Sequence, residues 1–95
     1  MPSVVLIVDD SPTEMAALTG MLKRHGFEVL SAQNADAGLD LARNRHPDLV
    51  LMDVVMPGLN GFQATRQLAR DPDTSGIPVV MVRSEEHTSE LQSHS

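Results

Sequence analysis

The 95-residue chain contains no cysteine, no tryptophan and no tyrosine, and Phe27 and Phe62 are its two phenylalanines. Without cysteine there is neither a disulfide framework nor a thiolate metal site. With so few aromatic rings, a core has to be aliphatic and filled out by the 6 methionines. Positive charge is scarce too. Seven basic residues against 13 acidic ones leave a net charge of −6, which argues against nucleic acid or an anionic membrane as a non-specific partner. Long apolar runs are missing. The first, Val4–Val8, stops at Asp9-Asp10, whereas a membrane helix takes about 20 apolar residues and a signal peptide needs a basic start. The expected location is therefore the cytoplasm, with no membrane insertion. Neither GxGxxG nor GxxxxGK[ST] occurs, so the backbone cradles for dinucleotides and nucleotide phosphates are lacking. What remains, at 41% hydrophobic and 21% charged, is the composition of a folded chain with room for one small domain.

The apolar residues that are present come in short continuous runs. Val4-Val5-Leu6-Ile7-Val8, Leu49-Val50-Leu51-Met52 and Val79-Val80-Met81-Val82 do not alternate with polar residues, a pattern suited to strands buried on both faces of a parallel sheet. Residues 27–32 are more polar and predict a strand nearer an edge. Between these runs lie helix signals. Ser11-Pro12-Thr13-Glu14 predicts a capping box, with Met15, Leu18 and Leu22 on one apolar face, a basic end at Lys23-Arg24-His25 and Gly26 just beyond. Asn34 caps a second helix with Ala35, Leu39 and Ala42 on one stripe, ended by Pro47. A third follows Gly61, with Phe62, Thr65, Leu68 and Ala69 expected inward. Residues 71–76 are a loop by composition. Strand–helix alternation at this spacing implies βαβ units, hence an α/β fold with a parallel sheet and helices on both faces.

Parallel strands would bring Asp9 and Asp10, at the end of the first, close to Asp53, at the end of the third. Ligands of open α/β sheets bind beyond the carboxyl ends of the strands. Three gathered carboxylates repel one another and should raise at least one pKa. A hard divalent cation relieves that repulsion, and partial hydration favours Mg²⁺. A carboxylate beside Mg²⁺ can also act as a nucleophile towards phosphorus. The bland alternative, acids that merely cap strand ends, suits any one of the three better than all three together. Past Asp53, Pro57-Gly58 predicts a tight turn, and Gly61 lets the chain enter the next helix. His25 and His46 are expected at the surface.

Val8-Asp9-Asp10-Ser11, Leu51-Met52-Asp53 and Met56-Pro57-Gly58-x-x-Gly61 resemble the receiver domain of bacterial response regulators, the CheY-like family. The resemblance covers residues 3 to 82. The run from Gly58 to Leu68, with Asp10 to Met15, further resembles the branch that serves type IV pilus twitching motility. The resemblance implies a flavodoxin-like doubly wound parallel sheet of order 2-1-3-4. It implies that Asp53 accepts a phosphoryl group from a sensor histidine kinase. It also implies that Mg²⁺ is held by Asp9, Asp10, Asp53 and the carbonyl of Val55. The chain would then be a signalling module acting on pilus or chemotaxis-like machinery. Its chemistry would be limited to its own phosphorylation and dephosphorylation, and it would not be an enzyme turning over a separate substrate.

Two of the family's functional positions are not met. Arg83 stands where the switch Ser/Thr belongs; Ser84 is one place off, and on a strand one place reverses the face. The family's Lys lies after a fifth strand, and that strand and the last two helices have no counterpart here. Residues 83–95 carry one strong apolar side chain, Leu91, and resemble one reading frame of a common sequencing adapter. The expectation is a partial receiver at 1–82, impaired in phosphate sensing, followed by a disordered, non-native polar tail at 83–95. Long-read resequencing decides the latter. Two other functions stay open. A Mg²⁺-dependent phosphohydrolase needs a second acid two residues after the nucleophile, where this chain has Val55. A phosphorylation-independent interaction module would ignore acetyl phosphate and beryllofluoride.

Overall fold

The computed structural model describes residues 2–54 and 60–82. The apolar runs become strands and the capped segments become helices, in the order β1 (Val4–Val8), α1 (Pro12–Arg24), β2 (Glu28–Ala32), α2 (Ala35–Arg45), β3 (Leu49–Asp53), α3 (Gly61–Arg70) and β4 (Val79–Val82). All pairings are parallel, and the sheet order is β2-β1-β3-β4. The most polar strand, β2, lies at an edge, as its composition predicts. Phe27 stands just outside it and is exposed.

Successive side chains of a strand point to opposite faces, so the sheet has two distinct apolar surfaces. Leu6, Val8, Ala32, Val50 and Met52 join Ala35, Leu39 and Ala42 of α2 and Ala64 and Leu68 of α3 in one buried core. Val5 and Ile7 face the other way and are buried as well. On that side α1 lies against β1 and β2, and none of its own residues is fully buried. Met15, Leu18 and Leu22 are half-buried. The consequence shows in one row of neighbours across the sheet, Ile7, Leu51 and Val80. Ile7 is 0% exposed, Leu51 half-buried and Val80 47% exposed.

Two expectations need correction. Phe62 and Ala69 do not face inward: Phe62 is 56% exposed and Ala69 is exposed too. Leu68 is buried as expected, and Gly61 and Ala64 are buried with it, because small residues let the helix lie close to the sheet. The capping box at α1 is also only half formed. The Ser11 hydroxyl accepts from the Glu14 N–H at 3.3 Å, but the Ser11 N–H donates to Asp9 Oδ1 at 2.9 Å and not to Glu14. The reciprocal box forms at α3, between Asn60 and Gln63.

The remaining ends are closed as their residues suggest. Asn34 accepts from the Ala37 N–H at 2.8 Å, and His46 closes α2 in the left-handed region at φ 47°. In the loop after α3, composition alone did not show that Thr74 is 1% exposed. Its hydroxyl donates to the Leu68 carbonyl at 2.7 Å and so satisfies one of the open carbonyls at the end of α3.

Candidate functional site

Asp9 follows the last residue of β1, and Asp53 is the last residue of the adjacent β3. Parallel pairing with Val8 opposite Met52 puts these two strand ends side by side. Oxygens of Asp9, Asp10 and Asp53 lie within 4.8 Å of one another, close enough to serve one cation. Asp9 and Asp53 are each 1% exposed, while Asp10 is exposed. The cluster is thus buried at its floor and open on one side.

Each carboxylate is held by the elements around it. The Asp9 N–H donates to the Ala32 carbonyl at 3.0 Å, which extends the β1–β2 pairing by one residue. Its Oδ1 accepts from Ser11, the cap of α1. Asp53 is opposite Val82, and the next N–H, that of Val54, donates to the Val82 carbonyl at 2.9 Å. Burial pushes the Asp9 carboxyl above the ordinary carboxylate range, with the charges of Asp10 and Glu14 acting the same way. Hydrogen bonds from the Ser11 N–H and with the Asp53 carboxyl oppose that rise. Asp9 rises as expected for a member of the cluster, but chiefly through burial and less through repulsion among the carboxylates.

The donor set fits Mg²⁺: hard oxygens, net negative, and one exposed ligand where water can complete the coordination. Asp9, Asp10 and Asp53 would hold the ion. Val55 and the Met56-Pro57-Gly58 turn lie outside the described residues, as do Arg83, Ser84 and the rest of 83–95. His25 and His46 are exposed, as expected. Gly61 plays a larger part than sequence reasoning assigned it, since it abuts the backbone of Asp53. Asn60-Gly61 at the start of α3 was the signal available for it. Among the described residues, no helix is long and apolar enough to cross a membrane.

Comparison with known proteins extends this picture. The Response regulator receiver domain family matches residues 5–94. Protein PilH of Pseudomonas aeruginosa is 62% identical over 82 residues, which are 86% of this chain and 68% of PilH. The N-terminal domain of a response regulator receiver protein from Methanoculleus marisnigri superposes with a TM-score of 0.80 at 32% identity, covering 96% of this chain and 77% of that one. The receiver domain of a Pseudomonas aeruginosa sensor histidine kinase, solved with a magnesium ion coordinated in its active site cleft, has a TM-score of 0.83 at 22% identity, covering 97% of this chain and 75% of that one. A parallel sheet of order 2-1-3-4, three acids gathered at its carboxyl end and these matches agree: the chain belongs to the response regulator receiver domain family.

Proposed function

We propose that this chain accepts a phosphoryl group on Asp53 from a sensor histidine kinase. Mg²⁺ would be held by Asp9, Asp10, Asp53 and the Val55 carbonyl. The observation that carries the reading is the convergence of Asp9, Asp10 and Asp53 within 4.8 Å, with two of the three buried. Asp53 is taken as the acceptor on the family resemblance, and its place at the end of β3, beside Asp9 and Asp10, supports that reading. In the transfer, an Asp53 oxygen forms the bond to phosphorus as the bond from phosphorus to the donor imidazole nitrogen breaks, and the imidazole leaves with its electron pair. Bound Mg²⁺ supplies positive charge against the phosphoryl oxygens. By its likeness to PilH, the signalling context would be type IV pilus twitching motility or a related chemotaxis-like pathway in the cytoplasm.

The test is incubation with acetyl phosphate and Mg²⁺, read by intact mass. A single phosphoryl adduct that is labile to acid and to hydroxylamine, and is lost in Asp53→Asn, is expected; an acid-stable adduct counts against the reading. A modification that survives Asp53→Asn, or continuous hydrolysis of a phosphate ester, would overturn the reading. One feature of the sequence favours a second reading. Arg83 occupies the place of the family's switch Ser/Thr, so a phosphorylation-independent interaction module is the alternative. It predicts no adduct and no response to beryllofluoride.

A further inference from the structure

Helix α3 begins directly against the backbone of the acceptor strand. Gly61, its first residue, is buried and donates its N–H to the Val54 carbonyl at 3.3 Å. A Cβ placed on Gly61 would collide with the Asp53 carbonyl oxygen and lie 3.0 Å from both the Asp53 carbonyl carbon and the Val54 Cα. All three are main-chain atoms, so no rotamer change relieves the overlap. The peptide they belong to is also held from the other side, by the Val54 N–H on the Val82 carbonyl at 2.9 Å. Gly38 differs in kind. A Cβ there would meet Val8 Cγ2 at 2.7 Å and Cγ1 at 3.1 Å, side-chain atoms and not the main chain of the acceptor.

We infer that Gly61 is a positioning residue for Asp53: its missing side chain lets α3 seat on the Asp53–Val54 peptide, and this contact sets where the Asp53 carboxylate stands relative to Asp9 and Asp10. The inference rests on the reading of Asp53 as phosphoacceptor. A Cβ at position 61 forces the peptide or the helix to move, and the peptide carries the acceptor. The three carboxylates then keep their chemistry but lose their mutual placement. Mg²⁺ affinity should fall by about 10–100-fold, the range typical when a group supporting a metal ligand is altered. Phosphoryl uptake should fall with it.

The experiment is a Mg²⁺ titration followed by backbone amide NMR shifts, with acetyl phosphate uptake measured in parallel. It uses the 95-residue chain, Gly61→Ala and Ala69→Gly. Ala69→Gly weakens the same helix at an exposed position, through propensity alone. The expected result is loss of Mg²⁺ affinity in Gly61→Ala and near-parent affinity in Ala69→Gly. Parent-like affinity in Gly61→Ala, or an equal loss in Ala69→Gly, overturns the inference. Should Gly61→Ala fail to fold, the parent decides. Its Gly61 amide must shift with the same Mg²⁺ midpoint as the Asp53 amide, and a Gly61 amide that stays still while Asp53 titrates overturns the inference. A parent that takes up neither Mg²⁺ nor phosphoryl overturns the site reading and this inference together. A parent that does, beside an equally competent Gly61→Ala, overturns the positioning role alone.

Discussion

The two faces of the sheet are built to different tolerances. Under α2 and α3, the row Ala32, Val8 and Met52 is buried and its β4 neighbour Met81 is half-buried, and the helices present Gly38, Ala42, Gly61 and Ala64 to it. Under α1, exposure climbs from Ile7 to Val80 along a single row. Close helix–sheet approach needs small residues, and close approach excludes water. The tight face therefore also governs the backbone that carries Asp53, whereas the loose face meets the site through Ser11, which caps α1 and donates to Asp9.

The largest expected effect contrasts these faces directly. Leu68→Ala, on the tight face, should cost about 2–5 kcal/mol, and Leu18→Ala, on α1, about 1 kcal/mol. Urea unfolding of both variants measures the gap, and equal losses would dissolve the comparison. The proposed Mg²⁺ site lies where the faces meet. At 100 times its dissociation constant Mg²⁺ should stabilise the chain by about 2.7 kcal/mol, seen as a raised melting temperature that Asp53→Asn removes. Ser11→Ala should cost about 1 kcal/mol through the lost cap. That loss belongs to the loose face, and the α2–α3 core should keep its hydrogen-exchange protection.

Asp9→Asn should raise stability at neutral pH, since burial lifts the Asp9 carboxyl above its ordinary value. The folded chain then binds more protons than the unfolded one between the unfolded and the folded pKa. Without metal, stability therefore falls as pH rises through that window and recovers on acidification. Saturating Mg²⁺ should reverse the slope, because the ion takes the deprotonated form. Thermal melts at several pH values, with and without Mg²⁺, check both signs. The smallest effect is expected for Val80→Thr, within about 0.5 kcal/mol. A larger loss would mean that the loose face is covered in solution.

Much of this architecture was legible because it rests on local patterns. Continuous apolar runs marked β1, β3 and β4, and the more polar run marked the edge strand β2. The three acids could be placed together because parallel topology puts both strand ends on one side. Features set by depth of approach were not legible. Leu68 was placed inward and is, but Phe62 and Ala69 occupy plausible apolar positions and yet α3 turns Gly61 and Ala64 inward, since close approach to the sheet favours small residues. Ser11-Pro12-Thr13-Glu14 carries the letters of a capping box, yet Asp9 takes the Ser11 N–H, a competition between neighbours that a four-residue motif does not contain. Thr74 lay in a segment of loop composition and is buried because its hydroxyl reaches back to α3.

Position 11 carries two obligations on one residue: its N–H serves Asp9 and its hydroxyl serves the Glu14 N–H. The residues acceptable there can be deduced from those two duties. Proline fails the first, having no N–H. Alanine keeps the first and fails the second. Threonine, asparagine and aspartate can meet both, but aspartate adds a fourth acid beside a site already crowded with negative charge. In a saturation library at this position, serine, threonine and asparagine would survive selection for folding and for metal binding alike, and aspartate would separate the two.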